Sequence, residues 1–300
     1  YLIQKRWVLN MMYEWQEIID EFLIEIGVRG YAEQTIYNYS TKLINIKDYF
    51  TAQGIKYIDD VTKQDVKKWI AEMEIKTITL PTRQIEVEVY ASASSSEKAP
   101  AILLLHELFG ILDVYREDAQ DLAERGYLVY VPNIFSGGAV KYCIRAMVSK
   151  AGRINAADSE VNQEIHVLLD ALKADPRSNG RLGMLGQCLT GGYVIQMAKR
   201  EDMLAPVVYH HSLGIQGVGV PSKESLDEVR ILQGHWSNVD PFCPTTKRNK
   251  LIQKLGDRVE AYTYNMPHGF RSVSRGLPEA KVVWQRTVEF FDRELNQNIV

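Results

Sequence analysis

Chemistry in this chain is best sought at Cys188, in the stretch GQCLTGGY. The thiol lies between a short apolar run, RLGMLG, and a helical stretch, LTGGYVIQMAKR. With Gly186 two residues before it and Thr190 two after, it has the glycine, nucleophile and small-residue spacing of a strand-turn-helix elbow. Small residues there let the two backbone segments cross closely. At the start of a helix, the positive end of the macrodipole favours the nucleophilic thiolate. Backbone N–H groups of the same turn can cradle an oxyanion. The plainer alternative is that Cys188 is a small buried hydrophobe, as most free cysteines are.

A nucleophile of this kind needs partners from later strand ends, in the order nucleophile, acid, histidine. His268, in YNMPHGF, follows a strand-like run and sits in a loop with Pro and Gly. Asp240, in GHWSNVDPFCP, follows the preceding run VRILQG. Each also has a plainer reading, Asp240 as a turn or capping aspartate and His268 as a surface loop residue. Asp257, in KLGDRVE, is a second candidate acid that reads as a turn before a strand, and His235 is a second candidate base. His166 falls within a helical pattern, while His210 and His211 end a strand before the acid and suit a pocket wall.

Positioning three such groups requires a scaffold of strand ends. The runs AILLLHE, GYLVYVPNIF, RLGMLG, APVVYHHS, VRILQG and VEAYTYN are short and almost continuously apolar, as in strands covered on both faces. Helical stretches separate most of them: DVYREDAQDLAERG, AADSEVNQEIHVLLDALKAD, TKRNKLIQKLG and PEAKVVWQRTVEFFDREL. That alternation predicts an α/β fold with a mostly parallel central sheet and right-handed crossovers. Ahead of it, IKTITLPTRQIEVEVYAS alternates like a hairpin and ASASSSEKAP reads as a turn or exposed loop.

The first quarter has a different rhythm. YEWQEIIDEFLIEIGV and AEQTIYNYSTKLINIKDYFTAQG repeat apolar residues at helical spacing, punctuated by Gly27, Gly30 and Gly54. A third short helix is predicted in DDVTKQDVKKWIAEM, with Thr62 as N-cap and Asp65 three residues on. Residues 1–75 thus form a small helical bundle, and residues 76–300 the α/β domain. FLIEIGVRGYAEQTIYNYSTKLINIKDYF followed by DDVTKQDVKKWI resembles the SAM-like core-binding domain of tyrosine recombinases, a bundle that clamps DNA. Phosphate binding needs a positive surface. Residues 1–75 carry nine Lys and Arg against twelve Asp and Glu, so their charge disfavours DNA, and an interaction or merely attached domain is the favoured reading. HGFR spells the H-x-x-R of recombinase sites, but no tyrosine follows Tyr264 to act as their nucleophile.

LLLHELFG, GYLVYVPNIF, GQCLTGGYVIQMA, DPFCP and PHGF make residues from about 76 to 300 resemble the dienelactone hydrolases of the α/β-hydrolase fold. The resemblance implies a triad of Cys188, His268 and Asp240 that cleaves an ester or enol-lactone through a thioester, without a metal or organic cofactor. It implies that Glu107 helps control the thiol's protonation, and that the N–H groups of Leu108 and Leu189 form the oxyanion hole. It also implies arginines that hold a substrate carboxylate. Arg271 is one candidate, against a solvated surface arginine, with Arg145 and Arg153 equal candidates for a second. A rival reading keeps the scaffold but not the turnover, with the bundle binding a protein or DNA partner.

Composition fits a globular protein. Of 300 residues, 46% are hydrophobic and 24% charged, enough for a sizeable core. No apolar stretch reaches the roughly 18 residues of a membrane span, and no signal-peptide pattern opens the sequence, so a cytoplasmic protein is expected. Three cysteines, Cys143, Cys188 and Cys243, cannot make a disulfide framework, and there is no CxxC pair.

Overall fold

A computed structural model describes residues 14–62, 65, 73–91, 98–107, 109–135, 160–211 and 226–296. The chain divides into two compact units, Tyr1–Ala71 and Glu72–Val300. The division precedes the boundary read at residue 75, because Met73 and Glu74 already pair with Tyr90 and Val89 in a β-ladder.

In the first unit, helices α1 (Trp15–Val28) and α2 (Glu33–Ala52) are joined by a short turn. Among the described residues Trp15, Ile19, Ile26 and Phe50 are its buried apolar ones, and the Trp15 ring stacks on Phe50 at 5.4 Å between centroids. Gly30 and Gly54 take positive φ (78° and 82°) directly after the two helices. There the N–H groups of Tyr31 and Ile55 reach back to the carbonyls of Ile26 and Phe50, satisfying helix-end acceptors. Gly27, by contrast, lies inside α1. Most of the predicted third helix falls outside the described residues. Its predicted start is present: Thr62 N–H donates to Asp65 Oδ2 (2.9 Å) and Asp65 N–H to Thr62 Oγ1 (3.2 Å).

The second unit is an eight-stranded sheet in the order β1-β2-β4-β3-β5-β6-β7-β8. Its strands are β1 (Met73–Thr79), β2 (Gln84–Tyr90), β3 (Ala99–Leu104), β4 (Leu128–Pro132), β5 (Ser178–Gln187), β6 (Met203–Tyr209), β7 (Leu232–Ser237) and β8 (Val259–Tyr264). β1 and β2 form the predicted hairpin, and β2 joins β4 antiparallel. All remaining pairings are parallel. The crossover helices described are α3 (Asp113–Glu124), α4 (Glu160–Lys173), α5 (Leu189–Met197) and α6 (Thr245–Leu255), and α7 (Pro278–Leu295) follows the last strand.

Apolar runs without alternation make sense once both faces of the sheet are covered. Ala101, Leu103 and Leu105 pack with Ile165, Leu168, Leu169 and Leu172 of α4 and with Val194 of α5. Ile102 and Leu104 belong to a second cluster with Val114, Ala119 and Leu122 of α3 and Phe290 and Phe291 of α7. Because β3 and β5 to β8 run parallel, their carboxyl ends meet along one edge, where an open α/β sheet builds its sites. Among the described residues, no helix is long and apolar enough to cross a membrane.

Candidate active site

Cys188 stands at the corner between β5 and α5 with φ 54° and ψ −120°. This left-handed backbone is rare outside glycine and is held only by surroundings that over-determine it. Cys188 N–H donates to the Tyr209 carbonyl at the end of β6 (3.1 Å), and Gly191 N–H donates to the Cys188 carbonyl (3.2 Å). Thr190 is more than a small residue: its hydroxyl accepts from Gln187 N–H and donates to Gln187 C=O, both at 2.9 Å. A Cβ on Gly186 would lie 2.7 Å from the Thr190 carbonyl oxygen, and one on Gly191 would lie 2.8 Å from His211 Cβ. The close crossing therefore needs Gly186 and Gly191. Gly186→Ala should cost about 1–3 kcal/mol in urea unfolding, the usual range for overpacking a core. A loss below about 0.5 kcal/mol would show that the crossing has slack.

Asp240 and His268 meet across the ends of β7 and β8. His268 Nδ1 donates to Asp240 Oδ2 at 2.6 Å. Oδ1 of the same carboxylate accepts from the N–H groups of Phe242 (2.7 Å) and Cys243 (3.3 Å), so the capping reading of Asp240 and the pairing with His268 hold together. With Nδ1 taken, Nε2 is the nitrogen left for the thiol. Burial favours neutral His268, but hydrogen bonds to Asp240 and Cys188 and their charges outweigh it, and its pKa is pushed up to about 10. Phe242 meets the imidazole edge-on at 5.1 Å. Asp257 lies in a short 3-10 turn ahead of β8 and is not part of this pairing.

Glu107, at the end of β3, is 2% exposed. A carboxylate oxygen of Glu107, the Cys188 sulfur and a ring nitrogen of His268 lie within 4.8 Å of one another. Burial raises the Glu107 carboxyl above its ordinary range; hydrogen bonding to Ser272, the His268 charge and hydrogen bonding to Tyr115 act the other way. Ser272 and Tyr115 carried no signal in the sequence, one reading as a loop residue and the other as helix core.

The four other histidines weighed in the sequence separate clearly. His210 is fully buried with φ 29°, its ring centroid 4.0 Å from that of His268, and its Nε2 accepts the Phe270 N–H (3.2 Å). Burial, and then the charge of His268, holds it well below its ordinary range, so it is a neutral floor beneath the imidazole. His211 accepts from Trp236 Nε1 (3.0 Å). His235 is clamped by Gln233 and Tyr264, each at 2.9 Å, and is not free to act as the base. His166 contacts Arg200 from α4.

Arg271 is buried and pairs with Asp118 of α3, its Nε donating at 2.8 Å and its Nη2 to the other carboxylate oxygen. Its guanidinium also lies over the Trp284 ring, 4.8 Å from the centroid. It is therefore not a solvated surface arginine, and its charge is matched by Asp118 instead of standing open to a substrate carboxylate. Leu108, Arg145 and Arg153 lie outside the described residues.

Comparison with known proteins gives two matches in series. The dienelactone hydrolase family profile matches residues 87–295, and that of the phage integrase N-terminal SAM-like domain matches residues 19–85. A carboxymethylenebutenolidase of Rhodococcus opacus is 27% identical over 223 residues, which cover 68% of this chain and 85% of that protein. One from Cupriavidus pinatubonensis is also 27% identical, over 67% of this chain and 88% of its own. Among solved structures, a dienelactone hydrolase-like promiscuous phosphotriesterase from metagenomic libraries has a TM-score of 0.57 at 16% identity. That match covers 73% of this chain and 99% of the other, a likeness of fold alone.

Proposed function

The chain belongs to the dienelactone hydrolase family and is an ester or lactone hydrolase of that kind; we propose that it works by acyl transfer to Cys188, with His268 and Asp240 completing a triad. The observation that carries this reading is the 2.6 Å bond from His268 Nδ1 to Asp240, which leaves the other ring nitrogen for the elbow thiol.

In the first half-reaction the Cys188 sulfur attacks the acyl carbon and the carbonyl electrons move onto oxygen. Leu189 is the first residue of α5, so its N–H has no acceptor within the helix and is available to that oxyanion. The family resemblance implies Leu108 N–H as the second donor. Each such donor is worth roughly 3 kcal/mol in known cases. His268 gives its Nε2 proton to the leaving alkoxide or enolate, and a thioester remains on Cys188. A water then loses a proton to Nε2, attacks the thioester, and the sulfur leaves as thiolate. Asp240 holds the imidazole orientation throughout. Glu107, a carboxyl disfavoured as an anion by its burial, stands beside the sulfur as an alternative holder of the resting thiol's proton.

The relatives' names point to an enol-lactone substrate with a carboxylate. Arg145 and Arg153 are equal candidates to hold that carboxylate, while Arg271 is matched by Asp118. DNA binding by residues 1–75 does not form part of the proposal, because their net charge is −3. The test is turnover of a dienelactone and of a chromogenic acetate ester, with an acid quench and peptide mass spectrometry. Both substrates should be cleaved, with the acyl mass on Cys188 and the lactone favoured about tenfold or more, a difference of roughly 1.4 kcal/mol. An inert protein would bring forward the silent-scaffold reading, and an acyl group on another residue would remove Cys188 from the role.

A further inference from the structure

We propose that Glu107, Cys188 and His268 also form a zinc site whose occupation holds the thiol out of reaction. One carboxylate oxygen, one sulfur and one imidazole nitrogen lie within 4.8 Å of one another, drawn from the ends of β3, β5 and β8. These are the oxygen, sulfur and nitrogen donors that tetrahedral Zn²⁺ takes, with a fourth position for water. One further observation points to a ligand: Glu107 Oε1 is buried without a hydrogen-bond partner. Buried polar atoms left without a protein partner call for one from outside. Asp240, at 2.6 Å from the opposite ring nitrogen, supplies the carboxylate that characteristically stands behind a zinc-bound histidine, fixing its tautomer and ring plane.

The overlapping set His210, Asp240 and His268 is equally compact but is already spoken for. There His268 Nδ1 and Asp240 bond to each other, and His210 Nε2 accepts the Phe270 N–H. Mg²⁺ and Ca²⁺ do not suit the Glu107 set, because they demand oxygen ligands. On ligation the proton shared by Cys188 and His268 passes to solvent, and the sulfur lone pair that would attack a carbonyl is engaged by the metal.

Existence of the site is independent of turnover, whereas its inhibitory effect rests on the hydrolase reading. The test uses the full chain, stripped with a chelator and titrated with ZnCl₂ against a chromophoric zinc indicator. The expected result is one zinc per chain, lost in Cys188→Ala and weakened roughly tenfold or more in Glu107→Gln. Cobalt(II) replacing zinc should show a near-ultraviolet sulfur-to-metal charge-transfer band, absent in Cys188→Ala. Circular dichroism confirms that each variant is folded. No saturable zinc binding, or equal binding in Cys188→Ala, would overturn the proposal. Zinc binding by a protein that cleaves no ester would sink the hydrolase reading and leave the metal site. Cleavage unaffected at saturating zinc would remove the inhibitory role.

Discussion

Cys188→Ala is expected to lower kcat/KM for both the lactone and the acetate ester by about 10⁴-fold or more, or roughly 5.5 kcal/mol of transition-state stabilisation. The elbow is built around this residue: Tyr209 and Gly191 fix its backbone, and the imidazole and Glu107 flank its sulfur. Of the other thiols, Cys243 is buried in the core cluster under the Asp240 turn and cannot substitute. Alanine bears the same φ of 54° at much the same cost as cysteine, so stability should change by less than about 1 kcal/mol and the lost rate would be a chemical effect. Residual activity over water is the share of the oxyanion donors and substrate binding. Activity within tenfold of the parent would end the nucleophile assignment.

Asp240→Asn should cost about 10²- to 10⁴-fold in kcat/KM with the backbone intact. The amide oxygen can still accept from Phe242 and Cys243, which turns the NH₂ group toward His268. Nδ1 must then become the acceptor, which puts the ring proton on Nε2, facing the sulfur, where a base is needed. A pH signature accompanies this change. Because the folded-state pKa of His268 is raised to about 10, its charge stabilises the fold fully below the unfolded value near 6.5, and that stabilisation is lost as pH rises through about 10. In Asp240→Asn, burial dominates and the raised value falls. The stability gap between parent and variant should therefore be wider at pH 6 than at pH 10.5 in denaturant titrations, with the His268 ring resonance titrating lower by NMR. A gap independent of pH would mean that the two residues do not share a proton as described.

Much of the site was legible because it is written in local sequence. Cys188 lies where an apolar strand run gives way to a helical one, and the next two strand runs end just before Asp240 and His268. Asp257 already read as a turn before a strand, and it lies in one, whereas only three-dimensional contacts show that His235 is held by Gln233 and Tyr264. Arg271 was misleading for a physical reason. Its partner Asp118 is 153 residues away, one charge among several in DVYREDAQDLAERG, and nothing local marks it as 2% exposed. His210 beneath the imidazole and the Ser272 contact to Glu107 are equally long-range. Local pattern does establish the sheet, and gives the N-terminal helices, but it places the domain boundary inside β1.

The parallel half of the sheet carries a further consequence. Glu107, Cys188, His210, Asp240 and His268 follow five different strands, and successive side chains of a strand point to opposite faces. A slip of a single residue in any one of those ladders would turn that strand's group away from the others while leaving most of the apolar packing satisfied. Turnover is thus a stricter audit of alignment than melting temperature, and a sample that is folded by every bulk measure can still contain molecules with no working centre.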